Sequence, residues 1–468
     1  MDIPAQRERT ADRPDATRPD PARPDPARFE MHPLRGPVLA EVHARPTAPM
    51  QAPCRVLHFA FTTDGDAAAA ARAALEAFCA TRGLPGPAAG AKHHRVALSG
   101  CVLRWESHGE FTTYSWKVSV SDGFAGDDGA TPFHPPPGAL SGVMAMLPQP
   151  GPLLVAVDLH MLDALAGAAG EAAAGGAAGM LDGVFDPLRL AAAEVEGGAG
   201  LIATDFMPDP HGFVRILVVD RGLTRAQAGG VVHRVLEVET YRTFALLGLM
   251  EAQRLMPSVR RIETELPHLL ERIQAGGPEG DASNRAALDR LLALTAELEA
   301  GAAGSLFRFG ATRAYAELVR LQLAAIGEKP VAGVPSWSLF LSRRMEPAMR
   351  TCLSMEGRQA NLSRKLARAG QLLRTGVEIG LQSQNRDLLH GVNERARAQL
   401  RLQHTVEGLS VAAIGYYVAS LIHHVLEGAH AAGVHVDPLI GTAVAVPFVL
   451  VAVAWTVRRI RRKHSLEH

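Results

Sequence analysis

Cysteine is scarce in this sequence. Only Cys54, Cys79, Cys101 and Cys352 occur in 468 residues. None forms a C-x-x-C pair, so a zinc ribbon, a thioredoxin-like redox motif and a disulfide framework all lack their ligands or partners. The four thiols are expected to be reduced and packed, which fits a cytosolic body. Net charge is also missing: 48 Lys+Arg balance 48 Asp+Glu. A global attraction to nucleic acid is therefore not expected. The chain contains no G-x-x-x-x-G-K-[ST], no G-x-S-x-G and no H-E-x-x-H, so these P-loop, hydrolase-elbow and zincin signatures give no support to an enzyme. The first thirty residues hold no apolar stretch, and no signal peptide is expected there.

The sequence does have strong local contrasts. Residues 1–29 repeat Arg, Pro and Asp in short phrases. Such a segment cannot bury a core and reads as a disordered, polyproline-like tail. Residues 30–222 mix strand and helix signals. A short helix is expected over Pro37–His43, strands over Val56–Thr62 and Leu153–His160, and a helix over Asp66–Arg82. Arg95–Glu106 and Glu110–Ser121 read as a hairpin around Ser-His-Gly, and Leu201–Phe206 pairs with Phe213–Asp220. Residues 161–200 are Gly/Ala-rich and ambiguous. The expected fold class is an α+β or α/β N-terminal cytosolic domain. A long-helix region over 223–405 and a C-terminal two-helix transmembrane hairpin follow it.

In 223–405 the apolar period changes from two to that of a helix. Helices are expected at Thr224–Met256, Ser258–Gln274, Asn284–Ala300, Ser305–Ile326 and Trp337–Leu353, with breaks at proline and glycine. From Glu356 to Leu426 there is no proline. Leu362, Leu366, Ala369, Leu373, Val377, Leu388, Val392, Val406 and Leu409 recur at helical steps. That stripe predicts a stalk-like helix packing in coiled-coil fashion, within the chain or between copies. Its many arginines read as a solvated face.

Residues 406–457 carry two long apolar runs, Val406–Leu426 and Leu439–Val457. Each is long enough for a bilayer core of roughly 30 Å, and Trp455 sits where an interface anchor belongs. No Lys or Arg lies between Arg401 and Arg458. Arg395, Arg397 and Arg401 precede the runs. Arg458, Arg459, Arg461, Arg462 and Lys463 follow, opening a basic tail over 458–468. This is the positive-inside pattern for two spans with both ends cytoplasmic. The lipid bilayer is thus an expected partner.

Three polar clusters remain. Glu41, His43 and Arg45, with His32 upstream, could hold an anion or a metal, or could cap the domain by hydrogen bonds. His423, His424, Glu427, His430, His435 and Asp437 surround the inter-span loop and carry ligand chemistry at no recognised metal spacing. Tyr417, Ser420, His424 and Glu427 form a polar stripe on the first span, as packing contacts or as a pore lining. Expected of that stripe is contact with a second copy of the chain.

Several stretches resemble one bacterial family. They are H-P-L-R-x-x-x-x-x-E-V-H-A-R-P at 32–46, P-S-V-R-R-I-E-T-E-L-P at 257–267 and R-Q-A-N-L-S-R-K-L-A-R-A at 358–369. Y-R-T-F-A-L-L-G-L-M-E-A-Q at 241–253 and Q-L-R-L-Q-H-T-V-E-G-L-S-V-A-A-I-G-Y-Y at 399–417 extend the likeness. The family is the domain of unknown function 3422, described as uncharacterised membrane-anchored proteins. The likeness covers about residues 30–463. It implies a protein of the bacterial inner membrane and supplies no reaction. In architecture the chain also looks like CorA-type magnesium transporters, although the Gly-Met-Asn triplet of that family is absent. The sequence therefore predicts a membrane-anchored, non-enzymatic, self-associating protein with no cofactor. The alternatives are a homo-oligomeric CorA-like cation channel or transporter, and an enzyme using Glu41, His43 and Arg45.

Overall fold

A computed structural model describes residues 29–41, 47–119, 133, 147–164, 181, 184–274, 280–433 and 435–464. Two compact units divide the chain, residues 1–263 with 296–363 and residues 264–295 with 364–468. The tail over 1–28, and His43 and Arg45, lie outside the described residues.

The first unit is built on a nine-stranded sheet in the order β2-β3-β4-β1-β5-β8-β7-β6-β9. Its strands are β1 (Cys54–Thr62), β2 (His93–Ala97), β3 (Cys101–Ser107), β4 (Phe111–Ser119), β5 (Leu153–Asp163), β6 (Ala191–Val195), β7 (Gly200–Thr204), β8 (Val214–Asp220) and β9 (Lys329–Pro330). β5 and β8 run parallel, and the other strand pairs run antiparallel. The N-terminal domain is thus a mixed-sheet α/β domain. β1 lies between β4 and β5 and is covered on both faces: every residue but Thr62 is buried. This explains why C-R-V-L-H-F-A-F reads as a nearly continuous apolar run, and why its polar members Arg55 and His58 need internal partners.

Three strands depart from the expected pattern. The single run Arg95–Glu106 is two strands, split by a turn in which Gly100 takes φ of +80°. A left-handed residue there lets the amide of Leu98 reach the carbonyl of Cys101 at 2.9 Å. β6 reads A-A-A-E-V, a composition that favours helix. It is a strand because it pairs with β7 and lies buried. β9 is too short for any periodicity to mark it.

Four helices follow α1 (Arg35–Glu41) and α2 (Gly65–Ala80). They are α3 (Arg225–Gln274), α4 (Gly280–Ile326), α5 (Trp337–Ala431) and α6 (Pro438–His464). Each of the first three merges segments that the sequence separates. α3 continues through Pro257, α4 through Gly301 and Gly304, and α5 through Pro347. An interior proline costs a helix about 3 kcal/mol and a glycine about 1 kcal/mol. Tertiary packing offsets these costs, and at Gly248 the missing side chain is itself the packing device. A Cβ there would collide with the side chain of Thr312, so α3 and α4 approach through a glycine.

One sheet face packs on α3, α4 and the start of α5, around Val56, Val157, Leu159, Val218, Val235, Phe244, Trp337 and Leu341. The opposite face packs in part beneath α2 through Leu57, Phe59, Leu75, Leu103, Trp105 and Trp116. Asp64 caps α2, its carboxylate accepting the Ala67 amide at 2.8 Å. That same face holds a buried ion pair: Arg55 Nε donates to Asp158 at 2.8 Å, with a second contact through Nη2. Beside it, the Phe133 amide donates to His160 Nδ1 at 3.3 Å. Burial drives the His160 pKa down to about 3. All four cysteines are free and buried.

In the second unit, Leu266, Leu269, Leu291, Leu294, Leu366, Ala369 and Leu373 are buried, where parts of α3, α4 and α5 lie. Beyond Leu373, α5 is exposed nearly throughout up to the segment that meets α6. There the backbones come close: a Cβ on Gly415 would press on Leu450 at 2.7 Å, and one on Gly441 on Leu426 at 2.8 Å. The last part of α5 and α6 are each long and apolar enough to cross a membrane by length and composition.

Candidate functional site

The register of the sheet places polar residues in ordered rows on the face toward α3. One row reads Arg95, Arg104, Ser115, His58 across β2, β3, β4 and β1. The next, two residues along, carries Glu106 and Thr113. On the other side of the first row lie Val102, Lys117 and Val56. In F-T-T-Y-S-W-K-V-S the polar positions alternate with Tyr114, Trp116 and Val118. Such alternation ordinarily marks a solvated face. Here both sets face inward, because α3 crosses the polar face. Gly229, Val232, His233, Leu236, Glu237, Thr240 and Tyr241 of α3 close the space at steps of three and one, a single helix face.

The result is a cavity of about 70 Å³. Its floor is apolar (Val56, Phe111, Val232, Leu236), and its walls carry histidine, carboxylate, hydroxyl and guanidinium groups. Ala48, Pro49 and Met50 form one edge. They are held by the Met50 amide donating to the Arg225 carbonyl at 2.8 Å. Gly229 makes room for them, since a Cβ there would collide with the Ala48 carbonyl.

Hydrogen bonding fixes the state of His58. The Thr240 hydroxyl gives its proton to the Leu236 carbonyl at 2.8 Å, so toward His58 Nε2, at 3.0 Å, it can only accept. Nε2 therefore carries the proton, and Nδ1 accepts from the Ser115 hydroxyl at 2.7 Å. Burial lowers the His58 pKa to about 3, against a smaller upward pull from Glu106. His233 is likewise held below its usual range by burial, although Glu237 lies 3.6 Å away. Glu237 also accepts from the Tyr241 hydroxyl at 3.2 Å. Burial pushes the Glu106 carboxyl up. The Arg104 guanidinium, donating to it at 2.8 Å, together with the smaller effects of His108 and His233, holds it below the ordinary carboxylate range. The pocket thus combines imidazole, carboxyl, hydroxyl and guanidinium groups. It is suited to recognising a small polar ligand by hydrogen bonds and charge.

None of these residues was singled out by sequence reasoning. The legible signal is the run of polar residues at alternate positions of β3 and β4, a pattern that by itself equally fits a solvated face. Of the expected cluster at 32–46, His32 is exposed and its Nδ1 accepts the Leu34 amide at 3.1 Å, a local turn contact. Glu41 ends α1, and His43 and Arg45 lie outside the described residues. Around the inter-span loop, His424 and His423 approach Glu427 at 3.2 and 3.5 Å. Among the described residues no set of three or more His, Cys, Asp or Glu has the arrangement to hold a metal. The stripe on the first span divides. Tyr417, His424 and Glu427 are exposed and Ser420 is half-buried, whereas His423 meets Thr442 of α6 at 2.9 Å.

Residues 30–464 match a family model described as a protein of unknown function, DUF3422. No curated protein and no solved structure matches the chain. The expected architectural likeness to CorA-type transporters accordingly receives no support.

Proposed function

We propose, on the premise that the chain belongs to the DUF3422 family, that it is a membrane-anchored protein that assembles with copies of itself. It acts by binding and assembly and not by catalysis. The observation that carries this reading is the exposure of apolar surface on α6 and the second half of α5. None of the apolar window of α6 is buried. Leu439, Ile440, Val444, Phe448, Val451 and Trp455 are all more than half exposed. Removing a large apolar side chain from water is worth about 1.5–3 kcal/mol. A helix apolar around its circumference is therefore costly in water and favoured in lipid. The arginines flanking the two runs support a hairpin with both ends on the cytoplasmic side of a bacterial inner membrane.

Self-association is supported by the segment before the first run. Val377, Leu381, Leu388, Val392, Leu402, Val406 and Leu409 are all exposed. At 100° per residue they fall within an arc of about 100°, the width of a packing stripe. A long helix with such a stripe and no partner among the described residues is completed by a second copy.

The test is carbonate extraction of membranes, with size measurement in mild detergent. The full chain should remain in the membrane, and a chain ending at Arg401 should be extracted. The full chain should elute as an oligomer, Leu388→Cys should crosslink between copies, and Leu388→Glu should shift the mass toward monomer. Extraction of the full chain would sink the anchor. A monomer without crosslinks would sink assembly.

A further inference from the structure

We propose that the cavity between the sheet and α3 binds a small multivalent oxyanion, of the phosphate or short-dicarboxylate kind. The first observation is an excess of fixed positive charge on one small patch. Arg95 and Arg104 stand directly opposite each other on β2 and β3. Lys117 is next to the residue two positions along β3 from Arg104. Like charges directly opposite on paired strands repel, and a sheet tolerates them where an anion lies between. Glu106 compensates Arg104 alone. Arg95 and Lys117 have no ion-pair partner among the described residues. Glu237, across the cavity, is already engaged by Tyr241 and His233.

The second observation is independent of charge. Thr113 lines the cavity, and its buried hydroxyl has no hydrogen-bond partner among the described residues. Buried hydroxyls are nearly always satisfied. An oxyanion with several acceptor oxygens meets this donor and the guanidinium donors together. The cavity volume of about 70 Å³ limits the ligand. At roughly 10–15 Å³ for each ordered water it has room for a handful of waters, and so for a small anion in place of a nucleotide. Phosphate and carboxylate share the required chemistry, namely compact negative charge with acceptor oxygens. They differ in being tetrahedral or planar.

Calorimetric titration of the full chain in mild detergent, in a buffer of low ionic strength, tests this. Inorganic phosphate and succinate are the two probes. Saturable binding of one per chain is expected for at least one of them. The pair Arg95→Gln/Lys117→Gln, at the cavity rim, should weaken it by about tenfold or more. The melting temperature without ligand should not fall, since the change removes repelling charges. Thr113→Val should also weaken binding without lowering that temperature, because it removes an unpaired buried hydroxyl. Arg104 is left intact in these variants, since its loss would strand Glu106. Binding of phosphate alone identifies a phosphoryl ligand, and of succinate alone a carboxylate. The absence of saturable binding with both probes overturns the proposal. So does binding that survives undiminished in the rim pair and in Thr113→Val.

Discussion

Ser115 on β4 donates its hydroxyl proton to Nδ1 of His58 on β1, at 2.7 Å across the sheet. With Thr240 of α3 taking the other ring nitrogen, one imidazole ties two strands to the helix that covers them. A neutral ring is required at this point, and the environment enforces it.

An acid-sensitive fold follows from His58 together with His160 on the opposite face. Both have pKa values lowered from 6.5 to about 3 by burial. In the unfolded chain they take up protons as pH falls below about 6.5, while the folded protein does not until near 3. The unfolded state then binds more protons, so stability falls as pH drops through this window. Each histidine contributes up to about 1.4 kcal/mol per pH unit. His233, also lowered by burial, adds to the effect. Urea unfolding at a series of pH values should show this slope, and His58→Gln should remove the share that His58 contributes. An identical slope in that variant would show that His58 takes up its proton over the same pH range in the folded and unfolded states.

The buried Arg55–Asp158 pair gives a second expectation. Burial raises the Asp158 carboxyl, and the hydrogen bond and charge of Arg55 oppose it. Asp158→Asn leaves a buried guanidinium whose Nη1 already lacks a partner. It should cost about 3–5 kcal/mol, and the double change Arg55→Met/Asp158→Leu should cost less than the single one. Chemical denaturation of the three proteins measures this directly. A double variant weaker than Asp158→Asn would mean that the pair itself stabilises the sheet.

Gly229→Ala tests the edge of the cavity. The added methyl meets the Ala48 carbonyl, and backbone has little room to yield. A loss of about 1–3 kcal/mol is expected, with faster amide exchange at Met50, whose hydrogen bond to Arg225 should open. Unchanged exchange at Met50 would show that α3 moves instead of the Ala48–Met50 segment.

Thr442→Val tests the contact inside the apolar hairpin. Thr442 gives its own proton to the Pro438 carbonyl at 2.7 Å, so His423 is the donor to its hydroxyl. Losing that acceptor among apolar neighbours should cost about 0.6–2 kcal/mol, read as easier unfolding of the hairpin in detergent titrations. No change would place water or lipid headgroups at His423.

By itself the sequence determined the class of most elements. Strands β1, β5 and β8, the β3–β4 hairpin and the β7–β8 pair are written in short runs of apolar residues. The helical region and the two apolar runs with their flanking arginines are written in period and charge. These features are local, and local pattern decides them. Helix continuity was not local. Proline and glycine set a cost at Pro257, Gly301 and Pro347, but neighbouring helices decide whether it is met. β6 shows the same in reverse: three alanines become a strand because β7 offers them hydrogen bonds. The cavity was the least legible part. Alternation along β3 and β4 tells which residues share a face, not what covers that face. His58, the β3–β4 residues Glu106, Thr113 and Ser115, and His233 come from three regions far apart in the chain, and only strand register and the crossing of α3 bring them together.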